Sequence, residues 1–233
     1  MTRRIAITQS NYLPWKGYFD LIQSVDLLFL YDEVQYTRRD WRNRNQIKTP
    51  QGVSWLTVPV LVKGKYDQTI DETYVADPAW AARHWATISH AYARAPFFDE
   101  YSKPFRLYLG SSPPDHLSQV NRDLIEIVMG QLGIATPLVS SREVQVMSSG
   151  KSERLVSICL AAGATTYVSG PAARDYLDVA LFDQSEISVE WFSYEGYPEY
   201  EQLYGPFVHQ VSIIDLLLNT GPNARDFLER RGA

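Results

Sequence analysis

The first 31 residues have the spacing of a β-α-β unit, and this spacing constrains the fold more than any other feature of the sequence. Short apolar runs at residues 5–7 and 26–31 predict two buried strands, and residues 18–22 predict a helix between them. A helix between two strands within about 30 residues predicts parallel pairing, because a parallel connection has to cross the sheet. Ligands of such sheets bind beyond the carboxyl ends of the strands, so the loops that follow these two strands are the first candidate site.

The rest of the chain continues this alternation of helices and strands. Apolar residues at helical spacing predict helices over 79–93, 117–132, 155–162, 212–218 and 222–230, and short apolar or alternating runs predict strands at 57–62, 138–139, 165–170 and 187–191. Pro59 lacks an N–H group, so its strand is predicted at an edge. We therefore predict a single α/β domain over residues 1–233. It has a Rossmann-like, mostly parallel sheet with flanking helices, a helical insertion around 79–132 and helices in the C-terminal part.

Charge and cysteine content exclude several classes of protein. Twenty-two Lys and Arg against 27 Asp and Glu give a formal net charge of −5, which disfavours a protein that coats nucleic acid or anionic membrane. Cys159 is the one cysteine, which excludes a disulfide framework and fits a reducing compartment. No apolar run approaches the roughly 20 residues that cross a bilayer. We expect a cytoplasmic protein with small-molecule substrates, no nucleic-acid partner and no membrane insertion, and the oligomeric state stays open.

Positive charge is concentrated in residues 36–48, YTRRDWRNRNQIK, which contain five basic residues and one acid. Guanidinium groups match phosphate or carboxylate, an indole stacks on planar groups, and amides add donors, so the segment suits a nucleotide or a sugar nucleotide. The alternative is a solvated basic loop that faces the acidic remainder of the chain. The candidates here are Arg39, Trp41, Asn43 and Arg44 for binding and Arg42 for catalysis.

The loop after the first strand contains a second group of candidates. Gln9, Asn11, Tyr12 and Tyr18 offer polar and aromatic side chains, and Lys16 adds charge where a helix N-terminus can hold an anion. The aromatic members are equally suited to the core. Asp32 ends the second strand, where its carboxylate can hold Mg²⁺, accept a proton from an amine or pair with a nearby Arg.

A third group follows later strands. Ser148, Ser149 and Lys151 belong to a polar turn at a predicted helix start, which suits a phosphate or an ordinary N-cap, although the spacing is not that of a P-loop. Ser169 ends the strand at 165–170 and is a further binding candidate. The histidines lack the spacing of a metal site, and His209 has no nearby carboxylate pattern.

Three stretches of the chain resemble the WbqC-like protein family of bacterial polysaccharide and O-antigen gene clusters. They are ITQSNYLPWKGYFDLI at 7–22, DEVQYTRRDWRNRNQIK at 32–48 and YVSGPAARDYL at 167–177. AYARAPFF at 91–98 and VSIIDLLLNTG at 211–221 also resemble the family, so the similarity covers nearly the whole chain. The resemblance implies a role in modifying amino sugars.

A more distant similarity is to HIGH-motif nucleotidylyltransferases and pantothenate-synthetase-like ligases, and it implies a HUP-like form of the Rossmann fold. Pro14 and Gly17 resemble the motif, but Trp15 and Tyr18 stand where its two histidines fall. The turn at 147–152 resembles the later lysine- and serine-rich turn of those enzymes. Without the histidines, adenylyl transfer would depend on Lys16, Lys151 and the arginines of 38–44.

These observations lead to one functional hypothesis with two alternatives. We expect an amide-forming ligase or transferase that attaches an amino-acid or acyl unit to an amino sugar nucleotide, with ATP and Mg²⁺ activating the carboxylate. Its partners are then a nucleotide sugar and an amino or acyl donor. The first alternative is an N-acyltransferase that uses a carrier thioester. The second is a protein that binds a nucleotide sugar without catalysis.

Overall fold

Five parallel strands form the central sheet of the computed structural model, which describes residues 2–144 and 150–228. The strands of the described chain are β1 (Arg4–Thr8), β2 (Leu27–Leu30), β3 (Arg44–Thr49), β4 (Gly52–Thr57), β5 (Leu138–Ser140), β6 (Thr166–Ser169) and β7 (Ser188–Trp191). The sheet order is β5-β2-β1-β6-β7, with β1 in register with β2 from Ile5 opposite Leu27. This arrangement confirms the predicted α/β, Rossmann-like fold.

Helices cover both faces of this sheet. They are α1 (Lys16–Gln23), α2 (Trp80–Tyr92), α3 (Phe98–Tyr101), α4 (Lys103–Gly110), α5 (Leu117–Leu132), α6 (Lys151–Ala161), α7 (Val179–Gln184) and α8 (Ile213–Thr220). Short 3-10 helices occupy Ser141–Glu143, Pro171–Asp175 and Gly221–Phe227. Four helices, α2 to α5, lie within the predicted helical insertion. The helix predicted over 222–230 is a 3-10 helix that spans Gly221–Phe227.

The sheet separates two apolar cores. Successive side chains of a strand point to opposite faces, so Ile5 and Ile7 of β1 join the core against α6 and α7, whereas Ala6 joins the core against α1, α5 and α8. Strands buried on both faces are expected when helices cover a parallel sheet. Cys159 lies in the α6 core, where burial raises the pKa of its thiol to about 12.

Strands β3 and β4 form a separate antiparallel hairpin, and here the sequence prediction is wrong. The predicted edge strand at 57–62 is not formed: β4 ends at Thr57, and in the segment after it Val60 makes only an isolated bridge to Val75. Pro59 has no N–H group to donate to a ladder, which explains why the strand stops. The second half of the basic segment, 44–49, is strand β3 rather than loop.

The strand order creates a crevice at one edge of the sheet. After β1 the chain proceeds to β2 and then β5 on one side, and α6 returns it to β6 on the other side of β1. At such a reversal the loops leave the carboxyl ends of neighbouring strands in opposite directions, which opens a binding crevice between them. The β1–α1 loop, residues 9–15, and the chain after β6 therefore flank the expected ligand position.

Gly221 provides a stability test of the helical insertion's contact with α8. Its φ is +53° and a Cβ would lie 2.3 Å from the Phe97 ring, whereas Gly133 has φ +65° and nothing closer than 3.7 Å. We expect Gly133→Ala to lower the free energy of unfolding by about 1 kcal/mol and Gly221→Ala by at least about 2 kcal/mol, since it adds steric overlap to backbone strain. Urea unfolding of both variants measures this. Equal losses would contradict the packing argument.

Candidate functional site

A cavity of about 710 Å³ lies beyond the carboxyl end of β1. Its walls come from the β1–α1 loop, from the segment that leads into and along β3, and from residues 192–210, a segment without helix or strand that follows β7. We call this last part the 192–210 segment. The lining residues are Asn11, Pro14, Trp15, Trp41, Asn45, Tyr194, Glu195, Gly196, Tyr197, His209 and Gln210.

Aromatic side chains make up much of the cavity wall. The Trp15 ring lies 5.6 Å from both Tyr194 and Tyr197, edge-on to the latter at 84°. Trp41 lies 5.5 Å from Trp55, and the Arg44 guanidinium lies 4.1 Å from the Trp55 ring centre. In this second group Arg44, Trp55 and Trp41 lie in a row that ends at the cavity, with the two indole planes inclined by 39°. Such walls suit a sugar ring or a planar base, with amides and a carboxylate between them.

A buried polar network fixes the β1–α1 loop. The Ser10 amide donates to Asp32 Oδ1 at 2.8 Å, and Asn121 Nδ2 donates to Ser10 Oγ at 3.1 Å and to the Arg42 carbonyl at 2.8 Å. Arg42 Nη1 donates to Asn11 Oδ1. The Arg42 guanidinium also lies 3.7 Å from a carboxylate oxygen of Asp40. Asp32 and Arg42 are both predicted to be catalytic. In the structure Arg42 holds the wall residue Asn11, and Asp32 holds Ser10 next to it.

Burial and hydrogen bonding act in opposite directions on the pKa of Asp32. Desolvation raises the pKa of its carboxyl, while the Ser10 hydrogen bonds and the Arg42 charge act in the opposite direction. The Ser10 amide engages one oxygen of this carboxylate, and the predicted Mg²⁺ role of Asp32 stays a prediction. Across the described residues, 2–144 and 150–228, no group of three or more His, Cys, Asp or Glu side chains is placed to hold a metal ion.

Two asparagines of the basic segment also have structural partners. Asn45 Nδ2 donates to the carbonyls of Tyr12 and Leu13 at 3.2 and 2.7 Å, and Asn43 Nδ2 donates to the Val58 carbonyl at 2.8 Å. These bonds join β3 to the β1–α1 loop and to the chain after β4. Buried backbone carbonyls need such partners, so these amides are engaged in holding the loops.

Two charged residues of helix α1 anchor the 192–210 segment. Lys16 Nζ donates to the Pro198 carbonyl at 2.7 Å and lies 5.3–5.6 Å from three aromatic ring centres, those of Tyr197, Tyr200 and Phe207. On the same helix, Asp20 accepts a hydrogen bond of 2.7 Å from the Tyr197 hydroxyl. Helix α1 therefore positions the segment through two opposite charges.

Lys16 is 3% exposed, and desolvation lowers its pKa to about 8. The ring faces compensate part of the lost hydration by cation–π attraction. The sequence predicts that Lys16 neutralises a phosphate, but the structure gives its ammonium a carbonyl and three rings as partners.

A second anchor is built around the fully buried carboxylate of Asp215. It accepts hydrogen bonds of 2.8 Å from the hydroxyls of Tyr92 and Tyr200, which join α2 and the 192–210 segment to α8. Lys48 Nζ donates to the Pro206 carbonyl at 2.8 Å, which ties the segment to β3.

His209 is the group at the cavity that is best suited to accept a proton. Desolvation and the Lys16 charge lower the pKa of its imidazole, while Glu199 opposes them. A lowered pKa leaves the ring neutral at pH 7, and a neutral imidazole has one nitrogen free to accept a proton. Glu195 and Gln210 line the same cavity and can bind polar groups of a ligand.

Of the predicted site residues, the structure places Asn11 and Trp41 in the cavity wall. Three others take part in hydrogen bonds within the protein. The Gln9 carbonyl accepts a hydrogen bond of 3.1 Å from the Tyr18 hydroxyl, and Ser169 Oγ donates to the Tyr167 hydroxyl at 3.4 Å at the end of β6.

The remaining candidates lie at the surface or outside the described residues. Arg39 is exposed, with φ +57°, and its carbonyl accepts a hydrogen bond from Arg44. Lys151 is exposed at the first position of α6. Ser148 and Ser149 lie outside the described residues, so their predicted role stays a prediction.

Sequence reasoning missed the contribution of the 192–210 segment. Residues 192–207, FSYEGYPEYEQLYGPF, contain six aromatic residues without helical or strand periodicity. That composition is the signal that could have indicated a binding wall, because so many aromatic rings outside regular elements need other partners.

Comparisons with known proteins identify the family of this chain. A family model described as the WbqC-like protein family matches residues 9–227. The chain is 47% identical over 226 residues to the uncharacterized protein Rv1507c of Mycobacterium tuberculosis, and the alignment covers 97% of each chain. No solved structure matches. Within the described residues, no helix has the length and apolar character needed to cross a membrane.

Tyr12, a predicted ligand-binding residue, instead forms a buried pair with His84. Its hydroxyl lies 2.7 Å from His84 Nδ1, and His84 Nε2 lies 3.1 Å from the Thr57 carbonyl. Since a carbonyl only accepts, Nε2 carries the proton and Nδ1 accepts from the tyrosine. The pair therefore joins the β1–α1 loop to α2 and to the end of β4.

His84 is also expected to make stability depend on pH. Burial lowers its pKa to about 4 from 6.5, so between these values the unfolded chain binds the proton and the native chain does not. The contribution of His84 is therefore complete above pH 6.5 and is lost as the pH falls toward 4. The loss is on the order of 3 kcal/mol. Urea unfolding at several pH values should show a flatter profile for His84→Gln, with the exposed His90→Gln on the same helix as control. An unchanged profile would contradict this.

Proposed function

The chain belongs to the WbqC-like protein family, and we propose that its cavity binds a nucleotide-linked amino sugar and that the protein joins an acyl or aminoacyl unit to the sugar amine. The observation that carries the proposal is the aromatic cavity at the carboxyl edge of the sheet, where Rossmann-like folds bind their ligands. Fold alone does not determine an activity, so the argument depends on the lining residues.

The lining residues match the chemistry of an amino sugar. Trp41 and the cluster of Trp15, Tyr194 and Tyr197, which we call the Trp15 cluster, can pack against the apolar faces of the sugar ring or of the base. Asn11 and Gln210 can hydrogen-bond to hydroxyl or carbonyl groups, and Glu195 offers a carboxylate to the sugar ammonium. The cavity is also large enough, because ligand pockets usually measure about 300–1,000 Å³.

The proposed reaction forms one amide bond. The amine nitrogen attacks the acyl carbonyl carbon, a C–N bond forms, and the bond from that carbon to the leaving group breaks with its electron pair. Before the attack, the ammonium gives one proton to His209, which is suited to accept it because its lowered pKa keeps it neutral near pH 7. After the C–N bond forms, the nitrogen loses a second proton, which goes to the leaving group. Trp41 and the Trp15 cluster keep the amine oriented and limit the access of water.

In the ATP-dependent form of the proposal, the carboxylate first displaces diphosphate from ATP to give an acyl adenylate, and AMP is the leaving group in the second step. Arg42 is held by Asn11 and Asp40, and Arg44 donates to the Arg39 carbonyl. The exposed Arg38 and Arg39 are therefore the arginines of the basic segment best placed to contact phosphate. Mg²⁺ then enters with the ATP phosphates.

One observation favours the thioester-dependent alternative. None of the cavity-lining residues is Lys or Arg, and the nearby Lys16 is held by Pro198 and its ring partners. A carrier thioester needs no phosphate chemistry at the reacting carbon, because the thiolate leaves directly. Assays with a UDP- or dTDP-amino sugar separate the forms: AMP release identifies the ligase, free thiol identifies the transferase, and tight binding without product identifies a binding protein.

The aromatic wall can be tested by binding. We expect Trp41→Ala to weaken the affinity for a UDP- or dTDP-amino sugar about tenfold or more, because a stacked ring contributes about 1–3 kcal/mol. Tyr176→Ala is the control, since that tyrosine is 60% exposed and is not part of the cavity wall. Isothermal titration calorimetry measures both. Wild-type affinity in the Trp41 variant would place the ligand elsewhere.

The role of His209 can be tested by the pH dependence of turnover. Because the pKa of His209 is lowered, the wild-type rate should fall only below about pH 6.5, where the ring takes up a proton. His209→Gln should lower kcat by about 10²-fold. It should also abolish the fall in rate at low pH that protonation of the imidazole causes. His90→Gln on the exposed face of α2 is the control. Unchanged kcat in the His209 variant would exclude it as the base.

A further inference from the structure

A second cleft, of about 380 Å³, lies beside the basic segment and has a different chemistry from the cavity. It is lined by Gln35, Tyr36, Thr37, Arg38, Val62, Lys65 and Tyr66. Two of these side chains are cations, and the others supply two phenols, a hydroxyl and an amide. We call it the cationic cleft.

The two cations of the cleft are not neutralised by the protein. Among the described residues, neither Arg38 nor Lys65 lies at salt-bridge distance from a carboxylate. Arg38 donates to the Val62 carbonyl at 3.1 Å, and the Lys65 ammonium lies 5.3 Å from the Tyr74 ring centre. Two cations that line one cleft on a protein of net charge −5 form a local positive patch, which attracts anions.

The donors around the cleft match phosphate. A guanidinium can bind phosphate oxygens in pairs, and an ammonium adds a mobile point charge. Desolvation and the neighbouring Asp40 raise the pKa of Tyr36 to about 12, so its phenol remains a protonated donor. The Lys65 and Arg38 side chains are exposed, which leaves them free to adjust to a ligand.

A chain of polar contacts connects the cleft to the cavity. Thr37 Oγ1 of the cleft donates to Asp40 Oδ2 at 2.6 Å, and Arg42 Nη2 lies 3.7 Å from that same oxygen. Arg42 in turn donates to Asn11, which lines the cavity. A ligand in the cleft and a ligand in the cavity therefore contact the two ends of one short network.

We propose that the cationic cleft binds the phosphate groups of the acyl donor. This inference rests on the proposed function in naming the donor, because a reaction that joins two substrates needs a second site beside the amino-sugar cavity. ATP supplies the phosphates in the ligase form and coenzyme A supplies them in the thioester form. The binding of phosphate to the cleft itself does not depend on the identity of the reaction.

The experiment compares two double variants that remove the same charges. Arg38→Gln with Lys65→Gln neutralises the cleft, and Lys103→Gln with Arg106→Gln neutralises two exposed positions on α4. Calorimetric titrations with pyrophosphate, ATP, coenzyme A and a UDP-amino sugar are made at one salt concentration, because phosphate affinity depends on ionic strength. Melting temperatures of both variants show whether they are folded.

We expect the cleft variant to bind pyrophosphate and the preferred donor at least tenfold more weakly, while the α4 variant binds them as the wild type does. Preference for ATP or for coenzyme A identifies the source of the phosphates. Equal weakening in both variants, unchanged affinity in the cleft variant, or no binding of any phosphate compound by the wild type would overturn the proposal.

The same titrations separate this proposal from the proposed function. Trp41→Ala should leave pyrophosphate affinity unchanged, and the cleft variant should retain affinity for the amino sugar. Loss of amino-sugar binding in Trp41→Ala together with wild-type pyrophosphate affinity in the cleft variant would reject the cleft and keep the cavity. Pyrophosphate binding without binding of ATP or coenzyme A would reject the assignment to the donor.

Discussion

The hydrogen bond from the Ser10 amide to the buried carboxylate of Asp32 is the contact on which the site depends. It exists because β1 and β2 are neighbouring parallel strands, so the residues that follow them emerge side by side. A loop buried at this depth has to satisfy its backbone polar groups within the protein. Asp32 accepts a hydrogen bond from the Ser10 amide, and Asn121 donates one to the Ser10 hydroxyl. Asn45 donates to the carbonyls of Tyr12 and Leu13. With the loop fixed, Asn11 and Trp15 are held at the crevice.

The 192–210 segment depends on charges rather than on regular structure. An irregular segment pays a large conformational entropy for a fixed geometry, so strong local contacts have to offset it. Lys16 and Asp20 on α1, Lys48 on β3 and Asp215 on α8 provide such contacts through hydrogen bonds to its carbonyls and phenols. Buried charges are costly unless they are paired or hydrogen-bonded, and each of these four has such a partner. The cavity wall is consequently built from three elements that are distant in sequence.

Features that depend on neighbouring residues could be predicted from the sequence, whereas contacts between residues far apart in the chain could not. Local patterns were sufficient for β1, β2 and the helix at Leu117–Leu132, whose apolar periodicity is regular. They were insufficient for the strand predicted at 57–62, because pairing depends on the partner as well as on the strand itself. The arginines of 38–44 attract attention as ligand contacts, yet the bond from Arg42 to Asn11 arises from tertiary structure alone. In the same way, no local pattern distinguishes a lysine that meets a phosphate from Lys16, whose partners lie about 180 residues away.

The separation of charge between the two pockets has a chemical consequence. An amine attacks an acyl carbon only after it loses its proton, so the cavity has to attract an ammonium and then accept a proton from it. Glu195 and a neutral His209 at the cavity suit these two tasks, whereas Lys or Arg in its wall would repel the ammonium before it bound. The phosphates of a donor require the opposite environment, which Arg38 and Lys65 provide. Placing the cations in a separate cleft, joined to the cavity through Asp40 and Arg42, lets both substrates bind without either site weakening the other.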